Sequence, residues 1–165
     1  MKRKKTDLLR LVAELDSDIS LLDDLTQKNK TAWQRINRGS VEELDWAALG
    51  YTIHNIYNLL ENYFLRVSKF FENALDPLAW HRNLIQHMML DIEELRPALL
   101  DRELAGRIDE LRSFRHVFRN IYQSELDPKR VELVQQRLEA TLFGFKKAHI
   151  EFLEKIRTIA EQVED

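Results

Sequence analysis

Between residues 49 and 70, apolar side chains fall at Leu49, Ile53, Ile56, Leu60, Tyr63, Val67 and Phe70. The steps alternate four and three, which keeps every one of them on one stripe of an α-helix over about six turns. A stripe that long has to be covered, and it makes this segment the expected central helix. What covers it must be other helices, because no stretch of the chain shows the period-two alternation of a half-buried strand.

The partners are legible in the same way. Leu8, Val12, Leu15, Ile19 and Leu22 begin a first helix that is expected to run through Trp33 and Ile36 and to stop at Gly39. Ser40-Val-Glu-Glu43 reads as a capping box, which places the start of the second helix near Val41. That helix is expected to end near Leu75-Asp76-Pro77, where Asp76 as N-cap and Pro77 in a first turn open a third helix reaching about Leu90. Arg96-Pro97 interrupts the chain, and a fourth helix spans roughly Asp101 to Gln123. Asp127-Pro128 repeats the cap-and-proline signal before a last helix carrying Val131, Val134, Leu138, Leu142, Phe145, Phe152, Ile156 and Ile159. The expected fold is all-α, an up-and-down bundle of about five helices formed by residues 1–165 as one domain.

Composition narrows the function. With 25 Lys and Arg against 28 Asp and Glu, the net charge of −3 denies the chain bulk basicity, so any anion site has to be local. Absence of cysteine excludes disulfides, thiolate metal sites and cysteine nucleophiles. The opening Met1-Lys-Arg-Lys-Lys resembles the start of a signal peptide, but Asp7, Arg10, Glu14 and Asp16 break the apolar run such a peptide needs. The expectation is a cytoplasmic protein without a membrane span. Trp33, Trp46 and Trp80 are candidates for leftover aromatic surface at a dimer interface.

The local anion site is sought on the fourth helix. In Glu110–Tyr122 the residues Leu111, Phe114, Val117, Phe118 and Ile121 share one arc, and Arg112, Arg115, His116, Arg119 and Tyr122 share the other. Asp109 can reach Arg112, but no nearby acid answers Arg115 or Arg119. Such a face needs water, acids from another helix, or a phosphate, for which the planar guanidinium is well shaped. On the central helix, His54, Asn55 and Glu61 read as polar groups hydrogen-bonded to this comb, with Glu61 a counter-charge for Arg115 or Arg119. No metal-ligand spacing, glycine-rich phosphate loop or Ser-His-Asp order is present, and no cofactor is expected. His81 and His149 read as surface or core residues without chemistry.

Arg115-His-Val-Phe-Arg-Asn120-Ile-Tyr122 resembles the Arg-x4-His-x-Tyr motif of HEPN-domain ribonucleases, in particular the HepT-like toxins of toxin–antitoxin pairs. Leu49-Gly-Tyr-Thr-Ile-His-Asn-Ile-Tyr57, Leu60-Glu-Asn-Tyr-Phe64 and Leu75-Asp-Pro-Leu-Ala-Trp-His81 are similar as well, so that the likeness covers roughly Trp46 to Phe152. The resemblance implies a HEPN-like helical bundle that forms a homodimer, cleaves RNA without a metal in a cleft between two motif helices, and is paired with a nucleotidyltransferase antitoxin of the MNT type. In it Arg115 holds the phosphate, Arg112, His116 and Arg119 line the RNA site, and Tyr122 is the position the antitoxin modifies with AMP. One departure bears on activity. The family has histidine where this chain has Asn120, and an amide cannot act as general acid or base. Either this is a natural inactive relative or a toxin substituted so that its producer tolerates it, and the intact remainder of the motif favours substitution. His116 is a weak stand-in, since the family uses that position as a polar support. Arg82-Asn-Leu-Ile-Gln-His87 also fits an Arg-x4-His pattern, but Met89 stands where its tyrosine would be. The alternative function is a non-catalytic dimeric module that binds RNA, nucleotide or protein through the same basic face. A third possibility is a structural bundle whose arginines only pair with acids.

Overall fold

The computed structural model describes residues 4–39, 41–72, 80–93, 95–120 and 126–163. They form α1 (Lys5–Ile36), α2 (Glu43–Glu72), α3 (Trp80–Met88), α4 (Arg102–Arg119) and α5 (Pro128–Gln162), with no strand among the described residues. At 1.5 Å per residue the three long helices, α1, α2 and α5, span about 45–53 Å. Pairing of Asp45 with Arg35 and of Asp18 with Arg66 sets α1 and α2 antiparallel. Contacts of Asn29 with Gln135 and of Asp16 with His149 set α5 antiparallel to α1. No helix among the described residues is long and apolar enough to cross a membrane.

The central stripe is buried from Leu49 to Val67, all of it at 1% exposure or less. It closes on Phe71 rather than Phe70, which lies half-buried beside it with its ring edge-on. Helix starts follow the hydrogen bonds available to the first free amides. Asp101 caps α4 by accepting from the Leu104 N–H at 2.7 Å, and Asp127 with Pro128 opens α5. α2 begins at Glu43, two residues beyond the expected start. Asp45 accepts the backbone N–H of Glu42, which makes Glu42 the capping position and leaves Val41 exposed outside the helix. Ser40 and the Asp76-Pro77 start of the third helix lie outside the described residues.

Arg96-Pro97 does interrupt the chain, and Arg96 then serves as its staple. Buried to 1% exposure, its guanidinium donates to the carbonyls of Leu90 and His87 while its backbone pairs with Ile92. The expected aromatic surface is not where the tryptophans are. Trp33 and Trp46 pack half-buried against the core, because each falls near the buried stripe of its helix, and the Trp80 side chain lies outside the described residues. Large exposed apolar side chains among the described residues include Leu9 and Leu21 on α1, Leu44 and Tyr51 on α2, and Leu133, Phe143 and Ile150 on α5.

Buried polar groups tie the long helices together. Asn29 and Gln135 exchange two amide hydrogen bonds of 2.8 Å, and Asn29 also donates to Thr52, joining α1, α5 and α2 at one point. A second tie runs from Tyr63 to His149 Nδ1 at 2.8 Å and from His149 Nε2 to Asp16 at 3.1 Å, with Arg157 also on Asp16. Burial pushes the His149 pKa down against the pull of Asp16. The unfolded chain therefore binds this proton more tightly than the folded one. Stability from this group is fully present above about pH 6.5 and is lost as pH falls from there through the lower folded value. Urea midpoints are expected to fall between pH 7 and pH 5, and His149→Gln should flatten that decline. A midpoint equally steep in the variant would remove His149 from the account.

Candidate functional site

α2 and α4 meet along a seam whose closeness depends on one missing side chain. A Cβ at Gly50 would stand 2.7 Å from Phe118 Cε2, so glycine lets the end of α4 lie against α2. Phe118 in turn stacks on Phe114 and contacts the His54 ring at 5.6 Å between centroids. Gly50 faces Phe118, and Glu61 faces Arg115, so the helices run antiparallel here.

Arg115 lies at the centre of the seam. Its Nη1 donates to Glu61 Oε1 at 3.1 Å, and its Cζ sits 5.6 Å over the centre of the Tyr57 ring. Both partners are buried, Glu61 at 5% and Tyr57 at 1% exposure. Burial, with Glu61 adding to it, pushes the Tyr57 phenol up and keeps it neutral. Arg112 donates to Asp109 at 2.6 Å, and that bond raises its pKa further. Arg119 and His116 are exposed, and Arg119 forms no ion pair among the described residues.

His54 lies across the seam with Nε2 at 2.9 Å from Asn58 Nδ2. Burial lowers its pKa, followed by the charges of Arg115 and Arg119, and Glu61 opposes them. The imidazole is thus held neutral. Three buried atoms of this seam have no hydrogen-bond partner: His54 Nδ1, Asn58 Oδ1 and Arg115 Nε. Buried polar atoms are nearly always paired, with protein or with ordered water. Asn58 was not visible as a site residue in the sequence. Its only signal is its spacing, four residues after His54 and three after Asn55.

α4 is shorter than expected, though Arg112, Arg115, His116 and Arg119 all lie on it. α4 ends at Arg119, not near Gln123, and Asn120 is its C-cap. The last turn tightens, with the Asn120 N–H on the Val117 carbonyl, and the Asn120 side chain takes over the His116 carbonyl at 2.9 Å. An amide that bonds the backbone of the preceding turn competes with continued helix. Asn120 is exposed at the helix end. Tyr122 lies outside the described residues. Asn55 is half-buried on the outer side of α2.

In the competing Arg82–His87 pattern the Arg82 side chain lies outside the described residues, and the α3 end that carries His87 lies away from this seam. Leu99 and Leu100 donate to the Met88 carbonyl, so the end of α3 abuts the start of α4. Arg115 is about 20 Å further along α4, counting 1.5 Å per residue. A groove of about 790 Å³ between the Arg96 link and α5 is rimmed by Asp91, Glu93, Glu151 and Glu154, with Lys155 and Arg96 as the cations opposing them, a poor setting for phosphate. No group of three metal-binding side chains occurs among the described residues.

A family model described as HepT-like protein matches residues 48–156, more than half of the chain. The chain belongs to the HepT-like HEPN family. Neither curated proteins nor solved structures return a match. The HepT-like span takes in α2 from Ala48, all of α3 and α4, and α5 to Ile156. It therefore contains both sides of the seam, and it leaves α1 out.

Proposed function

We propose that this HepT-like chain is a toxin-type HEPN ribonuclease scaffold. Two copies face each other across their motif helices and receive RNA in the cleft, and Asn120 stands in for the histidine that would move the proton. The observation that carries this reading is the state of Arg115. Its guanidinium is oriented by Glu61 and Tyr57 and lies beside Arg119, which pairs with no acid among the described residues. A guanidinium already fixed in direction can hold a phosphate without a metal. The fork of Arg115 keeps its task, but the Asn120 amide cannot take a proton from a ribose 2′-hydroxyl, so the chain as written is inactive or strongly attenuated. A nucleotidyltransferase antitoxin is the proposed partner. AMP added at Tyr122 would bring bulk and negative charge to the arginines and block the site.

The test is Asn120→His, which should slow growth on expression and cleave RNA in EDTA. A folded Asn120→His protein that does neither removes the nuclease reading. The use of Asn120 as a helix cap favours one alternative, a non-catalytic RNA- or nucleotide-binding module. That module would show salt-sensitive RNA binding in the histidine variant with no cleavage.

A further inference from the structure

Next to the arginine row of α4, the outward side of α2 carries a row of its own. Tyr51, Asn55, Asn58 and Asn62 follow one another at steps of four, three and four, so they share a face at about 4.5–6 Å intervals. Arg112, Arg115 and Arg119 step by three and four along α4, at matching intervals. Because the helices are antiparallel, Arg119 lies at the Tyr51 end and Arg112 at the Asn62 end. The acids between the rows, Glu61 and Asp109, are already bound to Arg115 and Arg112.

Tyr51 is 59% exposed, a large aromatic face with no core to fill, and Asn62 is exposed beyond it. Asn58 forms the inner edge of the row, with its Nδ2 at 2.9 Å from His54 Nε2. One row thus offers cations and the other offers amides and a stacking ring. We propose that this double row is a track for single-stranded RNA, with Arg112, Arg115 and Arg119 along the phosphates, a base stacked on Tyr51, and the Asn55 and Asn62 amides reading neighbouring base edges. Each amide presents both a donor pair and an acceptor, which is what base edges require, and unpaired strands expose those edges. α2 would then set base preference, and α4 would set affinity and its salt dependence. This assignment rests on the reading of the seam as an RNA site and names the form of RNA and the residues that choose its sequence.

The experiment uses the full chain with Asn120 in place, which binds without cutting, and fluorescein-labelled RNAs of about 12 nucleotides, a length within the site sizes of single-strand binders. The probes are four homopolymers and one duplex, followed by anisotropy. Single strands should bind more tightly than the duplex. Tyr51→Ala should weaken single-strand binding roughly 5- to 100-fold, and Tyr51→Phe should restore it. Asn55→Ala and Asn62→Ala should reorder the four homopolymers, and Arg119→Ala should reduce the salt slope by about 0.7. The proposal is overturned if the duplex binds as well as the single strands, or if Tyr51→Ala leaves RNA affinity unchanged. It is also overturned if light scattering shows Tyr51→Ala splitting dimers while each monomer still binds RNA fully, which would make this face a contact between copies. Circular dichroism establishes that each variant is folded. Asn120→His separates the two readings. Binding without cleavage would retain the track and discard the nuclease, and cleavage indifferent to Tyr51→Ala would do the reverse.

Discussion

Asn120→His is expected to raise RNA cleavage in EDTA by about 10²- to 10⁴-fold, the usual contribution of a positioned general acid or base. Arg115 is fixed by Glu61 and Tyr57, and Arg119 forms no ion pair among the described residues, so the proposed phosphate grip does not depend on residue 120. Position 120 is the C-cap of α4 and is exposed, so an imidazole there can reach substrate and exchanges protons near neutral pH. Losing the Asn120 bond to the His116 carbonyl costs little, because water can replace it at an exposed helix end. Arg115→Ala in the same background should return the rate to the starting level. If instead the histidine variant cleaves only when a divalent cation is added, the metal-free mechanism is wrong even though the activity is real.

The second large effect is on stability. Glu61→Leu should destabilise the protein by about 3–5 kcal/mol, since it leaves a guanidinium whose side chain is only 17% exposed facing an apolar group and the Tyr57 ring. Against a typical total of about 5–15 kcal/mol this is a large share. The double variant Glu61→Leu, Arg115→Leu should recover most of the loss, because it removes both charges together. Urea denaturation of the four proteins completes the cycle. A single-variant loss under about 1 kcal/mol would mean that the pair behaves as a solvated surface bridge.

How much of this was legible beforehand follows from distance along the chain. The stripe of Leu49 to Val67 and the caps at Asp101 and Asp127-Pro128 depend on residues within a turn or two, and helical spacing alone finds them. The start of α2 and the end of α4 were misplaced for a shared reason. Each is decided by one side chain, Asp45 or Asn120, choosing a particular backbone group, and composition offers several such choices within a few residues. The demand of Arg115 for a counter-charge could be read from the lack of acids around it, and Glu61 was among the few candidates. The Phe118 contact on Gly50, the amide exchange of Asn29 with Gln135 and the bond of Tyr63 with His149 join residues many turns apart and leave no local trace. Trp33 and Trp46 misled because size and aromaticity suggest an interface until a core is available to hold them.

The family span begins at residue 48, yet α1 supplies Leu8, Leu15 and Leu22 to the shared interior, pairs Asn29 with Gln135, and places Asp18 and Glu14 on Arg66. The part by which the chain is recognised is thus smaller than the part that has to fold. Substitutions along α1 can drift in sequence while remaining bound to α2 and α5 by shape and by a few amide and carboxylate contacts. Any shortened version cut at the family boundary would bare one flank of α2 and strand the Gln135 amide and the Arg66 guanidinium. For a protein whose proposed activity would be dangerous to its producer, the same dependence makes α1 a place where loss of function can arise without touching a single residue of the seam.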